Sequence, residues 1–194
     1  MILKRKLEKR EINALPLKAY DGEIFIINTL QDVKTSCSIL QKENILGFDT
    51  ETRPAFHKGE YYTPSIIQLA GEKSVYIFQL HQVGFCNPLK QLLSNRDILK
   101  CGVAIRHDLS ELNLLSEFIP RGFIDLGELA RKALVPHHGL RGLAAYFLHF
   151  RISKQAQISN WNIKTLKKKQ IIYAATDAWL GRELYLKFKK ENII

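Results

Sequence analysis

The sequence of 194 residues contains no run approaching the roughly 20 apolar residues that a membrane-spanning helix needs, so no membrane association is expected. A secretory signal peptide is lacking too, because the basic start (Lys4, Arg5, Lys6, Lys9, Arg10) is not followed by an apolar segment. Glu8 and Glu11 fit poorly with an acid-poor transit peptide, and a cytoplasmic location is the expectation. Cysteine is scarce. Cys37, Cys86 and Cys101 are odd in number, widely spaced and form no C-x-x-C pair, which argues against a disulfide framework and a zinc ribbon. Internal repeats and low-complexity tracts are absent as well.

What is present is the composition of a soluble globular domain, 46% hydrophobic and 25% charged, in a chain long enough to bury one sizeable core. Acidic residues are outnumbered: 19 Asp and Glu against 29 Lys and Arg leave a net charge of +10. That surplus favours a polyanionic partner such as nucleic acid, although many basic proteins bind none. Residues 1–22 read as a basic extension, partly helical or disordered, with an electrostatic role open to it. From residue 23 to 194 the signals are regular. Strands are expected at Ile24–Asn28, Ile45–Thr50, Ser65–Ala70, Ser74–Phe78 and Ile98–Val103, with Gly71–Lys73 as a tight turn. Helices are expected at Leu30–Gln41, Pro88–Ser94, Leu109–Phe118, Leu126–Leu134, Gly139–Phe147 and Thr165–Lys189. Strands interleaved with helices, then a helical second half, predict an α/β fold with a mixed sheet.

Three segments carry chemistry. In Phe48-Asp49-Thr50-Glu51 the alternation of strand side chains places Asp49 and Glu51 on one face. Adjacent carboxylates repel unless a cation or a proton lies between them, and hard oxygen ligands suit Mg²⁺ or Mn²⁺. Asp108 opens a helix behind the strand ending at Val103; alone, it reads best as a carboxylate favoured by the helix dipole. On the C-terminal helix Tyr173 and Asp177 stand four residues apart, stacked on one face. Ala174, Ala175 and Ala178 let another element approach closely, and an Asp buried among apolar neighbours needs a partner.

The ordered set Asp49-x-Glu51, Asp108 and Tyr173-x-x-x-Asp177 resembles the three motifs of the DEDDy branch of 3′–5′ exonucleases, which includes ribonuclease D and the Werner-type exonuclease domain. Leu46 to Glu51, Ser65 to Ala70, Ser159-Asn160-Trp161 and Tyr173 to Ala178 all look like that family's segments, in the family's order. Two positions depart from it. Ala104 stands where many members carry Asn, as in the Werner-type subset, and Thr52 stands where that subset often has Trp. The resemblance implies a ribonuclease H-like fold and a nuclease acting on the 3′ ends of DNA or RNA and releasing nucleoside 5′-monophosphates; at this length, with no room for an accessory domain, a stand-alone nuclease is expected. It implies two divalent cations, Mg²⁺ or Mn²⁺, bridged by Asp49, with Glu51 and Asp177 completing one site and Asp108 holding the second ion through water. Tyr173 would orient the attacking water, since an unperturbed phenol titrates near about 10 and is a poor base. A catalytically inert nucleic-acid-binding module is the alternative, weakened by the presence of all four carboxylates and the tyrosine.

Thr50, Thr52, Arg53, His107, Trp161 and Lys169 are the candidate substrate contacts. Some carry a competing reading: Trp161 as packing of its loop or a base-stacking ring, His107 as a surface cap or a phosphate contact, Lys164 and Lys167 to Lys169 as a solvated helix start or a phosphate site. His137-His138 lies in a loop between Pro136 and Gly139, where adjacent side chains diverge, and is a poor metal pair.

Overall fold

A computed structural model describes residues 5–194 of the chain; Lys4 of the expected basic start lies outside them. Six strands, β1 (Glu23–Ile27), β2 (Ile45–Thr52), β3 (Pro64–Ala70), β4 (Ser74–Gln79), β5 (Leu99–Gly102) and β6 (Phe123–Asp125), form one sheet in the order β1-β4-β3-β2-β5-β6. Only the β2–β3 and β3–β4 pairings are antiparallel, so β3 alone runs against the rest and the sheet is mixed, as predicted. The helices are α1 (Lys9–Ala14), α2 (Leu30–Leu40), α3 (Leu80–Val83), α4 (Asn87–Ser94), α5 (Arg106–Leu115), α6 (Leu126–Lys132), α7 (Leu140–Leu143) and α8 (Lys168–Lys190). None of the described helices is long and apolar enough to cross a membrane.

The strand period of two divides the core between the faces of the sheet. Leu46 and Phe48 of β2 and Ile67 and Leu69 of β3 pack with Val33, Cys37 and Leu40 of α2 and Leu89, Leu92 and Leu93 of α4. Ile66 and Ala70 of β3 and Val75 and Ile77 of β4 face the other way, against Ala174, Ala175 and Ala178 of α8. The alanines bring α8 onto the sheet, and two glycines bring it closer still. A Cβ at Gly47 would lie 1.8 Å from the Ala178 carbonyl oxygen, and one at Gly181 would lie 2.2 Å from that of Cys101. Small residues therefore set the distance between the strand carrying Asp49 and the helix carrying Asp177.

Several boundaries differ from the sequence reading. The long helix begins at Lys168 and not at Thr165, because Gln170 reaches back to accept the Lys167 N–H at 3.0 Å while its Nε2 donates to the Asn160 carbonyl at 3.0 Å. Leu166, buried, packs in the same cluster as Ile171 and staples that entry. The helix expected over Gly139–Phe147 is a single α turn that widens into a π-helical segment at Ala144–Leu148 and ends at His149 with φ 58°. Side-chain periodicity over so short a span does not separate the two helix types. α5 starts at Arg106, ahead of the expected Leu109, because Asp125 holds its approach: Oδ1 accepts from Ala104 N–H at 3.2 Å and Oδ2 from Ile105 N–H at 3.1 Å. Strand β6, which ends on Asp125, is too short to give an alternation signal, and neither it nor α3 is expected from the sequence.

The N-terminal segment is attached along its length. Lys18 N–H donates to the Arg151 carbonyl and Arg151 N–H to the Pro16 carbonyl, both at 2.9 Å, and Tyr20 N–H donates to Thr176 Oγ1 at 3.0 Å. Residues 9–14 are helical, and α1 buries none of its residues completely.

Candidate active site

β2 is interior to the sheet, and its odd-numbered residues turn toward α8. Gly47 makes room for the helix; two and four residues on, Asp49 and Glu51 project beside Asp177. One carboxylate oxygen from each of the three lies within 4.8 Å of the others, a spacing that suits a shared cation. Asp177 is only 7% exposed, and its Oδ1 is buried without a hydrogen-bond partner among the described residues. An unpartnered buried carboxylate oxygen is costly, so the arrangement calls for a cation or a proton.

The electrostatics agree. Burial, then the charges of Asp177, Glu51 and Asp108, push Asp49 well above the usual carboxylate range. Burial, with Asp177 and Asp108 near, raises Glu51 to about 9. Burial also raises Asp177 to about 7, against the opposing influence of the Tyr173 phenol and Lys154. Tyr173 is itself driven well above the ordinary phenol value, first by burial and then by Asp177 and Glu51. Its hydroxyl is protonated at any physiological pH and available as a donor.

Asp108 stands apart from the three-carboxylate group. Thr50, on the opposite face of β2 from Asp49 and Glu51, donates its Oγ1 proton to Asp108 Oδ1 at 2.5 Å and fixes the α5 carboxylate beside the cluster. Burial raises Asp108, and the Thr50 hydrogen bond works against that rise. β2 thus supplies two of the acids directly and orients a third through Thr50.

The remaining candidates separate by position. Thr50 is buried, with its hydroxyl committed to Asp108. Thr52 sits half-buried where the β2–β3 register shifts. The Arg53 guanidinium lies 4.5 Å from the centroid of the Tyr62 ring and lines a separate cavity of about 470 Å³. His107 is exposed, with Nδ1 3.9 Å from Glu111. Lys169 is exposed on the rim of a small cavity shared with Lys18 and Tyr173. Trp161 is 0% exposed and cannot stack on a base; its ring lies 6.0 Å from that of Tyr173, which it backs. His137 is buried, and its Nε2 accepts the Leu7 N–H at 2.9 Å.

Asp49, Glu51, Tyr173 and Asp177 open into a cavity of about 850 Å³. Its walls include Ala104 and residues that the motifs do not reveal: Arg141, Lys154, and Lys6, Leu7 and Lys9 from the N-terminal segment. Lys6 and Lys9 read in the sequence only as part of a basic start; nothing local places them at the acids.

A family model described as 3′–5′ exonuclease matches residues 24–193. The chain belongs to this family. It is 31% identical over 189 residues to the bifunctional 3′–5′ exonuclease/ATP-dependent helicase WRN of Mus musculus, covering 89% of this chain and 13% of that protein. It is 33% identical over 162 residues to ribonuclease D of Haemophilus influenzae, covering 80% of this chain and 39% of that protein. The chain therefore spans well under half the length of these two curated relatives. Among solved structures, the EXO domain of Aedes aegypti Nibbler has a TM-score of 0.79 at 24% identity and covers 92% of each chain. Escherichia coli RNase D, described as an exoribonuclease involved in structured RNA processing, gives 0.75 at 20% identity, over 88% of this chain and 46% of that one. The 3′–5′ exonuclease family fold, ribonuclease H-like, is thus the fold of this chain.

Proposed function

We propose that this member of the family is itself an active 3′–5′ exonuclease, hydrolysing phosphodiester bonds from the 3′ end of DNA or RNA and releasing nucleoside 5′-monophosphates. The observation that carries the reading is the convergence of Asp49, Glu51 and Asp177 within 4.8 Å, with a buried and unpartnered Asp177 oxygen among them. That donor set, all carboxylate oxygen, fits Mg²⁺ or Mn²⁺. Asp49, Glu51 and Asp177 would hold one ion and Asp49 with Asp108 a second. Such ions, when bound, supply charge stabilisation to the attacking and leaving oxygens and lower the pKa of water.

The chain's own residues do the rest. Water attacks the terminal phosphorus and the bond to the 3′ oxygen of the preceding nucleotide breaks, leaving a shortened strand with a 3′ hydroxyl. Tyr173, held protonated, donates a hydrogen bond that orients the water and does not remove its proton. Trp161 backs the Tyr173 ring, and Thr50 fixes the rotamer of Asp108. The direct test incubates a 5′-labelled oligonucleotide with the protein in Mg²⁺ or Mn²⁺ and in EDTA. A ladder of shortened strands in metal alone supports the reading; binding without cleavage in either metal points to an inert binding module and contradicts it.

A further inference from the structure

The sequence leaves the N-terminal segment outside the exonuclease motifs, and the family match begins after it, at residue 24. The structure nevertheless places Lys6, Leu7, Lys9 and Ile12 of that segment on the wall of the cavity that holds the acids. Leu7 N–H donates to His137 Nε2 at 2.9 Å, which seats the chain beside the cavity. Asn13 Oδ1 accepts from Arg141 Nη2 at 2.6 Å, and the Leu15 carbonyl accepts from Arg151 Nε at 3.1 Å. With the backbone pairing at Pro16 and Lys18, these bonds fix the segment at successive points.

The charges of the segment are sorted as well. Its two acids are consumed internally, Glu11 by Arg5 and Glu8 by Arg10. Lys6 and Lys9, exposed on the cavity wall, pair with no carboxylate among the described residues. Arg141 and Lys154 line the same cavity, and Arg141 Nε is buried without a partner among the described residues. Acids and cations without carboxylate partners on one cavity suit a site with two functions: the acids hold cations, and the cations attract anions.

We infer that residues 6–12 form a fixed cationic wall of the substrate groove, in which Lys6 and Lys9, with Arg141 and Lys154 of the same cavity, bind the phosphates of a single strand on the 5′ side of the scissile bond. The inference rests on the exonuclease reading and adds to it where the strand runs. A cavity of about 850 Å³ lies within the range of sites for small ligands and admits a few unpaired nucleotides, not a duplex. Since phosphate contacts carry no sequence information, the wall grips any strand.

The test compares wild type with the Lys6→Ala/Lys9→Ala protein by fluorescence anisotropy of a short 5′-fluorescein oligothymidylate in EDTA, across a salt series. The double variant is expected to bind on the order of tenfold more weakly at low salt, with a salt slope reduced by about 1.4, or about 0.7 for each phosphate that the variant no longer neutralises. A Lys189→Ala/Lys190→Ala protein, with the same charge removed from the exposed far end of α8, should keep the wild-type affinity and slope. Equal affinities for wild type and the Lys6→Ala/Lys9→Ala protein, or equal losses in both double variants, overturn the wall while leaving the exonuclease reading intact. A wild type that neither binds nor cuts overturns both.

Discussion

Tyr173 and Asp177 occupy one face of α8 beside Ala174, Ala175 and Ala178, and their chemistry differs although they are one turn apart. Asp177 is buried with an oxygen to spare; Tyr173 is held in its protonated form by burial and by the same acids. Tyr173→Phe keeps the ring against Trp161 and removes only the hydroxyl. It should lower kcat by roughly 10–1000-fold with little change in KM, as for the loss of other transition-state donors, whereas Asp177→Ala should abolish turnover. Steady-state release of nucleoside monophosphate decides it, and a wild-type kcat in Tyr173→Phe contradicts the orienting role. The acids also predict how pH acts on the metal-free protein. Glu51 and Asp177, raised to about 9 and about 7, keep protons in the folded state that the unfolded chain has already released. The stability this confers is present at low pH and is lost as pH rises through the folded values. In EDTA, Tm should therefore fall between about pH 5 and about 9, the fall should be smaller in Glu51→Gln, and Mg²⁺ should oppose it by binding linkage. A Tm that is flat across this range in EDTA would falsify the retention of protons by these buried acids.

At the scale of elements, the site was legible wherever a period carries it. Asp49 and Glu51 follow the alternation of a strand, and Tyr173 and Asp177 follow the helical repeat, so both pairs were visible as same-face residues. The bond from Thr50 to Asp108 was not, because it joins residues 58 apart on different elements, and no local pattern records such a pairing. Asp125 was missed for the same reason. It closes a three-residue strand, accepts the Gly127 and Glu128 N–H groups at the start of α6, and holds the turn that launches α5. That turn includes Ala104 at φ 61°, a left-handed conformation that costs an alanine roughly 1–2 kcal/mol. Asp125→Ala should destabilise the protein by about 2 kcal/mol or more through lost caps and unsatisfied N–H groups. It should also lower activity, because Asp108 is carried by the helix it releases. Denaturant unfolding of Asp125→Ala beside Asp125→Asn measures this, and unchanged midpoints for both contradict it.

Over the whole molecule, the mixed sheet and the ordered motifs followed from the sequence, while the attachment of the N-terminal segment did not. Lys6 and Lys9 read as part of a basic start, and only the folded chain brings them to the cavity that the acids line. Trp161 shows the fold choosing between two readings: the sequence allows packing of its loop or base stacking, and complete burial makes it packing. The net charge of +10 predicts that oligonucleotide affinity falls steeply with salt, even in Asp108→Asn, which retains every cation. Affinity unchanged between low and moderate salt would rule out that electrostatic contribution.

The account stands or falls on what leaves the strand first. A single-stranded oligonucleotide labelled on its 3′-terminal nucleotide, incubated with the protein in Mg²⁺ or Mn²⁺, should give up its label in the first turnover as a nucleoside 5′-monophosphate. Asp177→Ala should release none. Retention of the terminal label while the strand is cut elsewhere, or release at the wild-type rate by Asp177→Ala in EDTA, contradicts the claim that Asp49, Glu51 and Asp177 hold the cations of a 3′–5′ exonuclease.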